Sequence, residues 1–229
     1  MMYSSLGFAI HKTKSYKSVL PVIVLKPFPV IAKSSELNFF RKIPISEPQH
    51  SRILGDLLDP LGSHNQGDVF LRLFFETLGI EYDKNDWWTV TVESERFDIR
   101  IATKSRNKII IIENKSNWAE DQPNQLYRYW YYGIYLPQKK FKNNTNCMKK
   151  ILYLCPNYQK NISEQTFSRP VDFDKTLPEK VPCKIIEKIY FNNEIIKWLF
   201  ECMNAIKDKD NPELELYYFI KQYYDFWRC

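Results

Sequence analysis

The sequence predicts an α/β fold in which a central mixed sheet is flanked by helices. Three observations predict it. Amphipathic helical stretches open the main part of the chain, three strand candidates then follow in quick succession, and a helix separates them from a further strand. Short links make antiparallel neighbours, whereas a helix between strands makes a crossover connection, so the sheet combines both kinds of pairing.

Taken in order, residues 1–35 are basic, broken by prolines and without a sustained period, and read as an appendage with one short strand candidate, Val22 to Leu25. Residues 36–229 form the main domain. A helix starts near Ser46 or Glu47, because Pro48 suits a first helical turn and Ile53, Leu54, Leu57 and Leu58 recur at helical spacing. Asp59-Pro60-Leu61-Gly62 ends it, since the residue before proline resists the α region. Asp68 is the expected N-cap of a second helix that carries Val69, Phe70, Leu73, Phe74 and Leu78 on one face.

Strands are expected over Trp88–Glu93, Arg96–Ala102 and Lys108–Lys115. The run Ile109 to Ile112 suits a central strand covered on both faces. An aromatic helix spans about Glu120 to Tyr135, Asn143–Asn146 is a polar loop, and Lys150–Cys155 is another strand. Prolines at 156, 170, 178 and 182 mark a long excursion. Cys183–Tyr190 is a further strand candidate, and two amphipathic helices, about 192–206 and 212–227, follow.

The 229 residues suffice for one domain with a sizeable core, and six glycines with no Walker pattern exclude a glycine-rich phosphate loop. The net charge of +6 is not spread evenly. Residues 1–46 hold Lys12, Lys14, Lys17, Lys26, Lys33, Arg41 and Lys42 against Glu36, which accounts for all of it; the rest of the chain balances. Bulk charge therefore does not mark the main domain as a nucleic-acid binder. Cys147, Cys155, Cys183, Cys202 and Cys229 contain no close pair, so reduced thiols in a cytoplasmic protein are expected, without zinc or an iron–sulfur cluster. No membrane segment is expected: the apolar stretch Val19 to Ala32 is broken by Pro21, Lys26, Pro27 and Pro29 and lacks a signal-peptide cleavage pattern.

Chemistry concentrates at Glu113-Asn114-Lys115. Successive strand side chains alternate between faces, so Glu113 and Lys115 share one. Antiparallel pairing brings Asp98 on the preceding strand close to residue 113. Two carboxylates and an ammonium then converge, and carboxylate oxygens suit magnesium, which also takes water and phosphate oxygens. Spacing alone leaves the alternative that these charges are solvated or form a simple ion pair.

The surroundings add a resemblance. The runs Glu47-Pro48-Gln49-His50-Ser51 with Leu57-Leu58-Asp59-Pro60, Gly62-Ser63-His64-Asn65-Gln66-Gly67-Asp68, Arg96-Phe97-Asp98-Ile99, Ile111-Ile112-Glu113-Asn114-Lys115 and Asp121-Gln122-Pro123-Asn124-Gln125-Leu126-Tyr127-Arg128-Tyr129 resemble, in order and spacing, a bacterial and phage-associated family of the PD-(D/E)XK nuclease superfamily. The likeness covers about residues 36 to 155 well and the C-terminal helices loosely. It implies a restriction-endonuclease-like core and a metal-dependent nuclease hydrolysing phosphodiester bonds, in DNA, with Mg2+ as cofactor and Mn2+ as a substitute. It implies Asp98, Glu113 and Glu47 as metal-binding acids, with the Asn114 carbonyl as a further ligand. Lys115 would be the catalytic lysine. Gln125 and Tyr129, four apart on one helix face, would contact a substrate phosphate or steady Lys115.

Other residues keep two readings. His50 and His64 are structural or touch substrate. Arg96 and Arg128 bind phosphate or form surface ion pairs. The group Trp130, Tyr131, Tyr132 and Tyr135 packs the core at helical spacing, with base stacking as the alternative. At the level of the whole protein, the rivals to a nuclease are an idle nuclease-fold module that binds nucleic acid or protein, and a structural component of a larger assembly. The aromatic C-terminal helices are the candidate interface for a protein partner, and a homodimer is the other assembly considered.

Overall fold

The computed structural model describes residues 37–140, 148–207 and 214–228. The chain divides into two units, Met1–Leu37 and Asn38–Cys229. The expected basic appendage, its strand candidate Val22 to Leu25 and the polar loop Asn143–Asn146 lie outside the described residues.

The second unit opens with a short helix, α1 (Phe39–Lys42), followed by α2 (Glu47–Leu58) and α3 (Val69–Thr77). The Ser46 backbone N–H donates to Gln49 Oε1 at 2.8 Å, which caps α2, and the helix stops at Asp59, before Pro60. Asp68 precedes α3 but makes no capping bond; its carboxylate instead accepts the Tyr82 hydroxyl. The capping expectation is corrected because Asp68 has φ −86 and ψ 1, not the extended backbone of a capping residue.

Three antiparallel strands come next: β1 (Trp88–Ser94), β2 (Phe97–Thr103) and β3 (Lys108–Asn114). Ser94 pairs with Phe97, and the two turn residues Glu95 and Arg96 both have positive φ, 53° and 75°, as a tight type I′ hairpin requires. The expected aromatic helix begins later than its sequence suggests. Residues 116–124 form a loop, and Asn124 at φ 61° turns the chain into α4 (Gln125–Trp130). A π-helical turn, Tyr131–Tyr135, continues into α5 (Leu136–Lys140).

Strand β4 (Met148–Cys155) lies parallel to β3, and β5 (Ile186–Tyr190) parallel to β4. The stretch Cys183–Ile185, expected as strand, is a 3-10 turn following Pro182. A second π turn, Phe191–Ile195, leads into α6 (Ile196–Lys207), and α7 (Leu214–Trp227) follows. The sheet order is β1-β2-β3-β4-β5, a mixed sheet flanked by helices.

The isoleucine run explains the layering. Ile110 and Ile112 point into a core built with α2, α3, α6 and α7, against Leu54, Phe74 and Trp198. Ile109 and Ile111 point into a core on the opposite face, against Leu126, Tyr127 and Ile134. All four are buried, as a strand covered on both sides demands. Helix α2 lies directly on β1: a Cβ added to Gly55 would stand 2.1 Å from Val92 Cγ2. Trp198 Nε1 donates to the Phe70 carbonyl at 2.8 Å and locks α6 to α3. Among the described residues no helix is long and apolar enough to cross a membrane, and Cys155, Cys183 and Cys202 are free thiols.

Candidate active site

Alternation along β3 decides what each residue at its end can reach. Glu113 continues the face of Ile109 and Ile111, toward α4, while Asn114 continues the face of Ile110 and Ile112, toward α2. Asn114 Nδ2 accordingly donates to the Glu47 carbonyl at 3.0 Å and to Ser51 Oγ at 3.0 Å, which fastens the start of α2 to the end of β3. Glu113 meets Lys115 instead: Lys115 Nζ lies 2.7 Å from Glu113 Oε1, and both side chains are buried.

Asp98 sits on β2 next to Ile99, which pairs with Ile112. Its Oδ2 accepts the Asn114 backbone N–H at 2.6 Å, so the acid of β2 is tied to the acid strand beside it. The Tyr129 hydroxyl, from α4, donates to Asp98 Oδ1 at 3.3 Å. Lys115 Nζ also donates to Gln125 Oε1 at 3.2 Å and to the Glu120 carbonyl at 3.4 Å. Glu47 Oε1 accepts the N–H groups of Asn117 and Ala119, at 2.9 and 3.3 Å. That clamp holds the loop after β3, including exposed Trp118 at φ 62°, a strained value for a bulky residue.

These groups surround a cavity of about 180 Å³ whose lining includes Glu47, Glu93, Asp98, Glu113, Lys115 and Gln125. Asn114 lines it too, and Tyr129 stands beside it through its bond to Asp98. Glu47, Asp98, Glu113, Asn114, Lys115, Gln125 and Tyr129 are therefore brought together. Glu93 was not foreseen. Val92 pairs with Ile99 and Ser94 with Phe97, so Glu93 falls opposite Asp98, in a left-handed conformation at φ 50°. Only the hairpin register reveals it. Ser51 and Glu120, which hold Asn114 and Lys115, were also missed.

The histidines lie elsewhere. His50 is buried with Nδ1 2.8 Å from the Tyr223 hydroxyl, and burial pulls its pKa down to about 4. His64 is buried between the Asp59 carbonyl and the Gln66 backbone N–H. Both are structural. Trp130, Tyr131 and Tyr135 pack against one another and against the core, while Tyr132 is exposed. A roomier cavity of about 610 Å³, lined by Leu57, His64, Leu214 and Phe219, contains none of the site's residues.

The electrostatics are those of crowded, desolvated acids. Burial first and then the charge of Glu113 push Asp98 up to about 8, against the opposing Asn114 hydrogen bond. Burial also raises Glu113 above the usual carboxylate range, outweighing Lys115. Burial works against charge on Lys115, but Glu113, Asp121 and Glu47 outweigh it and hold the ammonium above an ordinary lysine. Glu113 Oε2 is buried without a hydrogen-bond partner.

Among the described residues no group of three or more His, Cys, Asp or Glu side chains is arranged to hold a metal by itself. The donor set nevertheless fits a hard divalent cation. An orphaned carboxylate oxygen and a neighbouring, repelling carboxylate would be relieved by such a cation.

Compared with protein families, the chain matches the PD-(D/E)XK nuclease superfamily over residues 37–225, and it belongs to that superfamily. Neither the curated proteins nor the solved structures contain a significant match to it. The nucleases of this superfamily act on nucleic acid and typically use divalent metals.

Proposed function

We propose that this protein is a divalent-metal-dependent nuclease that hydrolyses phosphodiester bonds in DNA, in the cytoplasm. The observation that carries the reading is the meeting of Asp98, Glu113 and Lys115 at one strand end, with Glu113 Oε2 left unpartnered.

Asp98, Glu113 and the Asn114 carbonyl would hold magnesium or manganese, and Glu47 has one carboxylate oxygen left to hold a bound water. The ion supplies Lewis-acid polarisation of the phosphate and a lower pKa for that water. Lys115 stays protonated because Glu113 holds it so, which makes it a stabiliser of developing phosphate charge rather than a base. Gln125 Oε1 and the Glu120 carbonyl aim its ammonium. Tyr129 fixes Asp98. In the hydrolysis, water oxygen bonds to phosphorus and releases a proton to solvent, the phosphorus–oxygen ester bond breaks, and the departing sugar oxygen takes a proton from solvent.

Purified protein with magnesium or manganese is expected to nick or degrade DNA, and Glu113→Gln and Lys115→Met are expected to slow it about 10²- to 10³-fold. Equal cleavage by the wild type and both variants would mark a contaminant and end the assignment.

The rival reading, an idle module, draws on the Glu113–Lys115 ion pair, which already neutralises one acid. Calorimetric titration separates the two: DNA affinity without magnesium binding favours the idle module.

A further inference from the structure

A second cavity, of about 320 Å³, shares Asp98, Gln122 and Gln125 with the acid site and opens between the β1–β2 hairpin and α4. Its distinctive walls are Arg96, Arg128 and Tyr132. Arg96 sits at the hairpin tip at φ 75°, a costly conformation for a side-chain-bearing residue, and its guanidinium lies 5.4 Å from the Tyr132 ring centre. Tyr132 comes from the π turn, where such bulges often re-aim side chains at functional sites. Arg128 is steadied from below: Nη1 donates to the Pro123 carbonyl at 2.8 Å and Nη2 to Gln122 Oε1 at 3.4 Å. These acceptors are neutral, and the fork keeps its remaining donors.

Among the described residues no carboxylate stands within ion-pair distance of either arginine. The surface-ion-pair alternative weighed for Arg96 and Arg128 is thereby removed. Glu95 also borders the cavity, with its charge acting on Arg100. Two guanidiniums without carboxylate partners line one cavity, and arginine grips phosphate with paired N–H bonds.

We propose that this cavity is a subsite for a phosphate neighbouring the scissile one, gripped by Arg96 and Arg128. The proposal rests on the nuclease reading for the word neighbouring; the phosphate site itself does not need catalysis. Gln122 and Gln125 form the shared wall along which the strand passes from one cavity to the other.

The test measures binding of a fluorescent DNA oligonucleotide in EDTA across a salt series, and separately cleavage in magnesium. The Arg96→Gln/Arg128→Gln double variant is expected to bind roughly 10-fold or more weakly. Its plot of log affinity against log salt should be shallower by about 0.7–0.9, the share of one phosphate. The Arg96→Lys/Arg128→Lys variant should recover the slope but not the full affinity, and its thermal melt guards against misfolding. Oligonucleotides with a single methylphosphonate beside the cut should weaken wild type but not the glutamine variant. Comparing 5′-phosphate with 5′-hydroxyl ends shows whether the phosphate is terminal or internal. A glutamine variant with wild-type slope and wild-type methylphosphonate sensitivity overturns the subsite alone. Arginine-dependent slope in a protein that never cleaves overturns the nuclease reading and leaves the phosphate site standing.

Discussion

Lys115 Nζ lies 2.7 Å from Glu113 Oε1 with both side chains buried, while Glu113 Oε2 has no partner. Removing one member of a buried pair leaves an uncompensated charge and costs about 3–5 kcal/mol, less where the survivor takes up a proton. Glu113→Gln leaves the Lys115 ammonium an acceptor and keeps the packing, whereas Lys115→Ala also deletes a buried stem, so Lys115→Ala is expected to lower the melting temperature more than Glu113→Gln. Magnesium should raise the melting temperature of Lys115→Ala more than that of wild type, because it replaces the lost cation, and should do least for Glu113→Gln. Scanning fluorimetry with and without magnesium reads this directly. A magnesium shift that survives unchanged in Glu113→Gln would remove Glu113 from the ion's ligands.

Asp98 and His50 pull the metal-free protein in opposite directions as pH changes. Asp98 has a folded pKa of about 8 against an ordinary 3.8, so the folded state keeps a proton that the unfolded chain has released. Its contribution is present below pH 3.8 and is lost as pH rises toward 8. His50 has a folded pKa of about 4 against 6.5, so its contribution is present above 6.5 and lost as pH falls toward 4. Between those limits the two slopes oppose each other. Wild type in EDTA should thus change little from pH 4.5 to 6.5, the window between the His50 values, and lose stability from 6.5 to 8. Asp98→Asn should reduce the alkaline loss to the share of Glu113, whose pKa burial also raises, and expose an acid one. Denaturant melts across this range test it, and an unchanged alkaline limb in Asp98→Asn would contradict the assignment.

Glu47 has two jobs that one substitution pair separates. Its Oε1 clamps the backbone of Asn117 and Ala119, and the nuclease reading gives its other oxygen a metal-bound water. Glu47→Gln keeps an acceptor but no charge, so it should melt within about 1 kcal/mol of wild type yet cleave poorly. Glu47→Ala should lose about 1.5–3 kcal/mol as well, having dropped a charged hydrogen-bond acceptor. Full activity in Glu47→Gln would leave Glu47 as a loop clamp only.

What the sequence disclosed follows periodicity. The run Ile109 to Ile112 announces a strand buried on both faces, and alternation then assigns Glu113 and Lys115 to one side. Gln125 and Tyr129 were legible because helical spacing and the family resemblance agree. Long-range facts were not legible. Glu93 joins the cavity through the hairpin register, and α1 exists because Asn38 and Phe39 bond to Gln222, far along the chain. The late start of α4 depends on one left-handed residue, Asn124, inside a stretch of helical composition. The partner of His50 was not legible for a related reason: nothing local says that α7 will arrive to bury it.

That burial supplies a last expectation. His50 Nδ1 pairs with the Tyr223 hydroxyl at 2.8 Å, and Phe191, Phe226 and Trp227 surround the imidazole. Tyr223→Phe keeps the ring and its packing but orphans a buried polar nitrogen, which costs about 1–3 kcal/mol. Cleavage at saturating DNA should be unchanged, since neither residue lines the acid cavity. His50→Ala should be worse for stability, because it also removes the packed ring, and should likewise spare turnover at a temperature where the variant remains folded. A large fall in turnover by folded Tyr223→Phe would mean that the α2–α7 contact governs more than stability, by holding the helix that carries Glu47 against β3.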